Sequence, residues 1–136
     1  MKPLPLRLHP GVDLRGGLAA ALAEAGGGSC SAFVLSGIGS LSRVALRLAG
    51  ANETLQLDGE LEILSLAGTL GPDGAHLHMS IADASGRVLG GHVGPGCIVR
   101  TTAEVLLAVL DDWELRRTPD PATGFLELQP VQKSSP

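Results

Sequence analysis

The chain has 136 residues, 19 of them Gly and 9 Pro, with two Phe, one Trp and no Tyr. Ten Lys and Arg against 14 Asp and Glu leave a formal charge of −4. That length provides for one domain with a real core. A charged fraction of 18% excludes a mainly disordered chain, and glycines without a period of three exclude collagen.

Leu4 to His9 alternates apolar and polar residues as a strand does, and Pro10-Gly11 ends it. Asp13 occupies an N-cap position before Leu14, Leu18, Leu22 and Ala25, so the spacing predicts a helix over Leu14 to Ala25, stopped by Gly26-Gly27-Gly28. Ser31 to Ser36 and Leu41 to Leu48 read as two strands punctuated by Gly37-Ile38-Gly39-Ser40. Thr54 to Leu57 and Glu60 to Leu66 read as two more, divided at Asp58-Gly59, a hairpin signal. Gly71-Pro72-Asp73-Gly74 is a turn, followed by strands at Ala75 to Asp83 and Arg87 to His92 around Ala84-Ser85-Gly86. Cys97 to Thr101 is a short strand, and Thr102 to Leu110 fits strand or helix. Beyond Trp113, a turn at Pro119-Asp120-Pro121 precedes a possible closing strand, Phe125 to Leu128. The expected fold is a single α+β domain, a mostly antiparallel sheet with one or two helices. Its core runs over about residues 4–128, with 129–136 as a flexible tail.

A core made of Leu, Val, Ile and Ala buries less area per residue than an aromatic one. Some apolar surface is therefore expected to be covered by another subunit. Met1 to Leu6 lacks the apolar stretch of a signal peptide, and no apolar run reaches the roughly 18 residues of a membrane span. Cys30 and Cys97 read as reduced thiols, so the expected compartment is the cytoplasm. Scattered basic residues in an acidic chain argue against direct DNA binding.

Three of the four histidines, His76, His78 and His92, fall within 17 residues. His76 and His78 share one face of a strand, about 7 Å apart at Cα. If Ala84-Ser85-Gly86 is a three-residue loop with Gly86 left-handed, Asp83 pairs with Arg87 and His78 lies opposite His92. His76 is then the diagonal neighbour, whereas a two-residue loop would send His92 to the other face. Three imidazoles are a ligand set for zinc or another divalent transition metal with one open position. The alternative is three structural or surface imidazoles. Gly90-Gly91 would let a backbone approach closely before His92.

Candidates for proton-handling acids are Glu62, expected to be partly buried and matched to a cation such as Arg47, and Glu104 after Thr101-Thr102. Cys97 has no base oriented by sequence and reads as a core thiol. Gly37-Ile38-Gly39 lacks the third glycine of a dinucleotide fingerprint, and Ser40 lacks the flanks of a nucleophile elbow.

Six ordered segments resemble the plants-and-prokaryotes-conserved (PPC) domain. They are Arg7 to Leu14, Leu35 to Leu41, Gly59 to Thr69, His76-Leu77-His78, Gly86 to His92, and Thr101 to Glu104. The resemblance covers about Arg7 to Leu128. It implies an α+β domain assembling as a homotrimer, with His76, His78 and His92 as metal ligands. It also implies that Gly59, Glu60, Leu61, Glu62, Ile63 and Leu64 engage protein partners, as the matching segment does in plant members. Plant members carry an AT-hook, whose Arg-Gly-Arg-Pro core is absent here. The leading reading is thus a trimeric interaction or regulatory domain with a three-histidine metal site. A small zinc-dependent enzyme comes second, and a DNA-binding protein, as the family is often labelled, third.

Overall fold

The structure, a computed structural model, describes residues 1–26 and 30–134. Within them lie β1 (Lys2–Leu8), α1 (Leu14–Gly26), β2 (Ser31–Arg47), β3 (Leu55–Gly71), β4 (Gly74–Ala82), β5 (Val88–Val93), β6 (Ile98–Leu110), β7 (Trp113–Pro119) and β8 (Leu126–Gln132). Six strands form one antiparallel sheet in the order β1-β6-β2-β3-β4-β5. A further pairing of β5 with β2, through Leu46↔Val93 and Arg47↔His92, closes β2, β3, β4 and β5 into a ring. The β7–β8 ribbon is a separate two-stranded sheet. The result is a single α+β domain with one helix among the described residues.

The helix forms as its sequence dictates. Asp13 Oδ2 accepts the Gly16 N–H at 2.8 Å, the expected cap, and Asp13 Oδ1 accepts the Gly96 N–H at 2.7 Å. Leu14, Leu18 and Leu22 are buried, each burial contributing about 1.5–3 kcal/mol. They join a core of Leu41, Leu46, Leu70, Leu77, Ile81, Leu107 and smaller aliphatic residues. Of the expected glycine stop, Gly26 is the last helical residue, and Gly27 and Gly28 lie outside the described residues.

Two expected breaks are not breaks, and one open alternative is resolved. The 17-residue β2 passes through Gly37-Ile38-Gly39-Ser40, accommodating them with bulges at Val34/Ser36, Gly39/Leu41 and Leu41/Arg43. At Gly39, with φ +155°, a Cβ would stand 2.7 Å from the Ala103 Cα, so only glycine lets β6 approach there. Asp58-Gly59 makes no hairpin. Both flanks pair with β2, as Leu55↔Leu46 and Leu61↔Leu41 show, so β3 continues straight through. Asp58 instead accepts the Arg43 Nε–H at 2.7 Å. The segment Thr102 to Leu110 is strand, part of a β6 that is paired on both sides by β1 and β2. A strand in that central position needs no strict alternation.

The expected tail is corrected in part. Residues 129–132 belong to β8, where Gln129↔Arg116 and Gln132↔Trp113 are register partners, while Ser135 and Pro136 lie outside the described residues. No helix of the described residues is long and apolar enough to cross a membrane.

Candidate metal centre

The β4–β5 hairpin is written into its turn. Asp83 N–H donates to the Arg87 carbonyl at 2.9 Å, the Gly86 N–H returns to the Asp83 carbonyl at 2.9 Å, and Gly86 has φ +82°. Asp83 Oδ1 accepts from Ser85 N, Ser85 Oγ and Arg87 N at 2.6–3.0 Å. The Ser85 hydroxyl above all, with the backbone donors and Arg87, holds the Asp83 carboxyl below the usual carboxylate range. This three-residue loop fixes the register His78↔His92 and leaves His76 diagonal to it, as the sequence predicts. Tight strand contact then depends on Gly90 and Gly91. A Cβ on Gly90 would lie 2.6 Å from the Met79 carbonyl oxygen, and one on Gly91 2.6 Å from that of Arg47.

The three imidazoles converge. His78 Nε2 lies 3.2 Å from His76 Nε2 and 3.1 Å from His92 Nδ1. One ring nitrogen carries either a proton or a lone pair, so His78 Nε2 can make only one of these two hydrogen bonds with neutral partners. That proton or lone pair cannot point squarely at both neighbours, whereas a shared cation serves all three nitrogens. Zinc bonds to imidazole of about 2.0–2.1 Å at tetrahedral angles place ligand nitrogens roughly 3.3 Å apart, close to both distances. All three ligand atoms lie within 4.8 Å of one another. The residues present therefore fit a divalent metal.

The surroundings favour the neutral ligand form. Burial first, then Arg117 and the two other imidazoles, push the His76 pKa below its ordinary value, with Glu127 opposing them. His92 is lowered by burial, then by Arg47 and His78. A groove of about 980 Å³ opens beside His76 and His92, and its walls include Arg15, Arg47, Arg117 and Glu127. Arg117 and Glu127 also flank a smaller recess beside His76 and His78. Sequence reading missed Arg15, Arg117 and Glu127 as neighbours of the histidines. Arg117 and Glu127 arrive on the β7–β8 ribbon, and no local pattern marks that approach.

The candidate acids lie elsewhere. Glu62 is exposed on β3, not partly buried, and the Arg47 guanidinium donates to the Ala51 carbonyl instead of pairing with it. Strand alternation explains this: Leu61 and Ile63 take the inward positions, at 3% exposure each. Glu104 is exposed on β6 opposite Arg7 and Ile38. Neither glutamate lines the grooves at the histidines. Within Gly59 to Leu64, Leu61 and Ile63 are buried, whereas Glu60, Glu62 and Leu64 face outward. Cys97 is buried against the Ala45 backbone, and burial pushes its thiol pKa up, as befits a core residue.

Known proteins share this framework. Two Synechococcus proteins named bifunctional protein GlmU are 49% identical over 94% and 96% of the chain, which spans only 20% and 21% of their lengths. A hypothetical protein from Salmonella cholerae-suis has a similar solved structure, with TM-score 0.92 and 38% identity over 98% of this chain and 95% of its own. A metal-containing protein from Archaeoglobus fulgidus superposes with TM-score 0.78 at 26% identity, covering 95% of this chain and 94% of its own. A Bacteroides thetaiotaomicron structure described as DNA-binding shares the fold, with TM-score 0.79 at 20% identity over 93% of this chain and 91% of its own. Residues 1–111, from β1 through the histidine hairpin to the end of β6, match the pattern of one family. With that match and the shared fold together, the chain belongs to the Plants and Prokaryotes Conserved (PCC) domain family, also abbreviated PPC.

Proposed function

We propose that this chain is a homotrimeric interaction or regulatory domain carrying a divalent metal, zinc or a similar transition ion, on His76, His78 and His92. The observation that carries the metal is the convergence of three imidazole nitrogens, with His78 Nε2 at 3.1–3.2 Å from both neighbours. The metal-containing Archaeoglobus relative supports it. When bound, such an ion supplies a Lewis-acid centre with one position open to a ligand. His76 and His92, kept neutral by burial and by nearby arginines, would hold it from the two sides of His78.

The module reading draws support from the Synechococcus proteins, in which the similar stretch is one fifth of a longer bifunctional chain. Phe33, Leu35, Ile38 and Leu64, each at least 40% exposed on β2 and β3, offer apolar surface for the contact between subunits. Glu60, Glu62 and Leu64 offer outward side chains to a protein partner. The two free thiols accord with a reducing compartment such as the cytoplasm. For an enzyme reading, the candidate acids Glu62 and Glu104 do not line the grooves at the histidines, whereas Glu127 does. The DNA-binding description of the Bacteroides relative meets a chain of net charge −4.

Metal analysis of untagged protein tests the central claim. Near-stoichiometric zinc is expected in the wild type and its loss in the His76→Ala, His78→Ala double variant. Metal-free wild type after zinc supplementation, or zinc retained by the variant, would overturn the assignment.

A further inference from the structure

The groove beside His76 and His92 is lined by three arginines, none of which forms an ion pair among the described residues. Ion pairs within 4.0 Å among the described residues engage Lys2, Arg43, Arg87, Arg100 and Arg116. Arg7, Arg15, Arg47, Arg117 and Lys133 have none, and three of these five, Arg15, Arg47 and Arg117, line this one groove. The groove thus gathers three guanidinium groups without ion-pair partners in a chain of net charge −4.

Each arginine is held close to a histidine position by a neutral partner. Arg47 is the register partner of His92 across β2 and β5, and its Nη1 donates to the Ala51 carbonyl at 3.4 Å. Arg15 reaches from α1 to the Val93 carbonyl, next to His92, at 3.4 Å. Arg117 Nη2 donates to Thr69 Oγ1 at 2.8 Å, and Thr69 is the register partner of His76. A guanidinium has five N–H donors, so each of the three retains several for a ligand. Asp73 and Glu127 also line the groove, leaving its wall positive by one charge with the histidines neutral. Asp73 is engaged by Arg116 and by the Arg117 N–H, and Glu127 accepts from Thr123 Oγ1. Planar guanidinium forks suit carboxylate and phosphate oxygens.

We infer that this groove binds a small organic anion, whose carboxylate or phosphate group is met by Arg15, Arg47 and Arg117 beside the histidine cluster. The arginine contacts stand without the metal. Only an added contact from the ligand to the open coordination position rests on the metal reading above.

Calorimetric titration of zinc-analysed protein at low ionic strength, with inorganic phosphate in one arm and malonate in the other, tests it. Saturable binding is expected in at least one arm, and the stronger arm assigns a phosphorylated or a carboxylic ligand. Arg47→Gln and Arg117→Gln should each weaken it about tenfold, with Arg43→Gln, at an ion pair outside the groove, within about twofold of wild type. Arg47 is exposed, so its variant remains informative even if loss of the Thr69 contact unfolds Arg117→Gln. No binding in either arm, or binding indifferent to Arg47→Gln, would overturn the inference. Anion binding by protein that takes up no zinc would sink the metal reading and leave this one standing. Zinc uptake without anion binding would do the reverse.

Discussion

His78 stands between two imidazoles and can satisfy only one of them through a proton. His78→Ala is therefore expected to abolish metal retention, while His9→Ala, which removes the histidine outside the cluster, leaves it unchanged; metal content per chain after dialysis decides. The cluster also sets an acid response in the metal-free protein. The folded-state pKa values of His76 and His92 lie below the ordinary 6.5, so the unfolded chain takes up protons more readily. Their contribution is present above that value and is lost as pH falls through the lowered folded values. Urea midpoints should fall between about pH 7 and about pH 5, and a His76→Gln, His92→Gln variant should show a flatter profile over that window. An unchanged profile in the variant would assign the acid response to other groups. Which residue types were chemically able to bind metal was legible in the sequence. That Arg47, Arg117 and Glu127 surround them was not, because that depends on contacts between strands far apart in the chain.

At the level of elements, the β4–β5 hairpin converts a turn into a ligand register. Gly86 takes φ +82°, a conformation that costs an L-residue roughly 1–2 kcal/mol. Gly86→Val is expected to lower the thermal midpoint and weaken zinc binding together, since both depend on the same loop. Gly91→Val is expected to be more severe. Its side chain would begin 2.6 Å from the Arg47 carbonyl oxygen and force β5 away from β2, opening the ring; failure to fold or loss of metal, judged by circular dichroism and metal analysis, is the outcome to look for. The helix start offers a milder case. Asp13→Ala removes a cap for about 1 kcal/mol and also frees the Gly96 N–H beyond β5, measurable as a shift in denaturant midpoint. Elements with local signals, the Asp13 cap and the Asp83–Arg87 turn, were legible in the sequence. Asp58-Gly59 misled because a turn dipeptide states a local preference, and pairing of both flanks with β2 overrides it.

For the whole molecule, the question raised by a core poor in aromatics passes to the outer face of β2 and β3. Leu35 and Ile38 are 56% and 55% exposed, and Phe33 and Leu64 add to the same outward surface. Charge placed there should disrupt a trimer without touching the core. A Leu35→Glu, Ile38→Glu variant is expected to run as a monomer by light scattering where the wild type runs at three times that mass. A monomeric wild type would remove the trimer from the proposal.

The sequence by itself determined the class of fold and the helix with its cap, and it tied the pairing of His78 with His92 to a three-residue loop. Each rests on near-neighbour physics: hydrophobic period, a capping carboxylate, and a glycine in a three-residue loop. Only the tertiary structure decided that β2 and β3 run unbroken, that β5 closes back onto β2, and that arginines from α1, β2 and β7 gather at the histidines. Those outcomes follow from strand partners distant in sequence, whose combined backbone pairing outweighs the local turn preferences of Gly37-Ile38-Gly39 and Asp58-Gly59. The net charge of −4 was a correct description of the chain and a poor guide to this groove, because folding sorts charges that composition only counts.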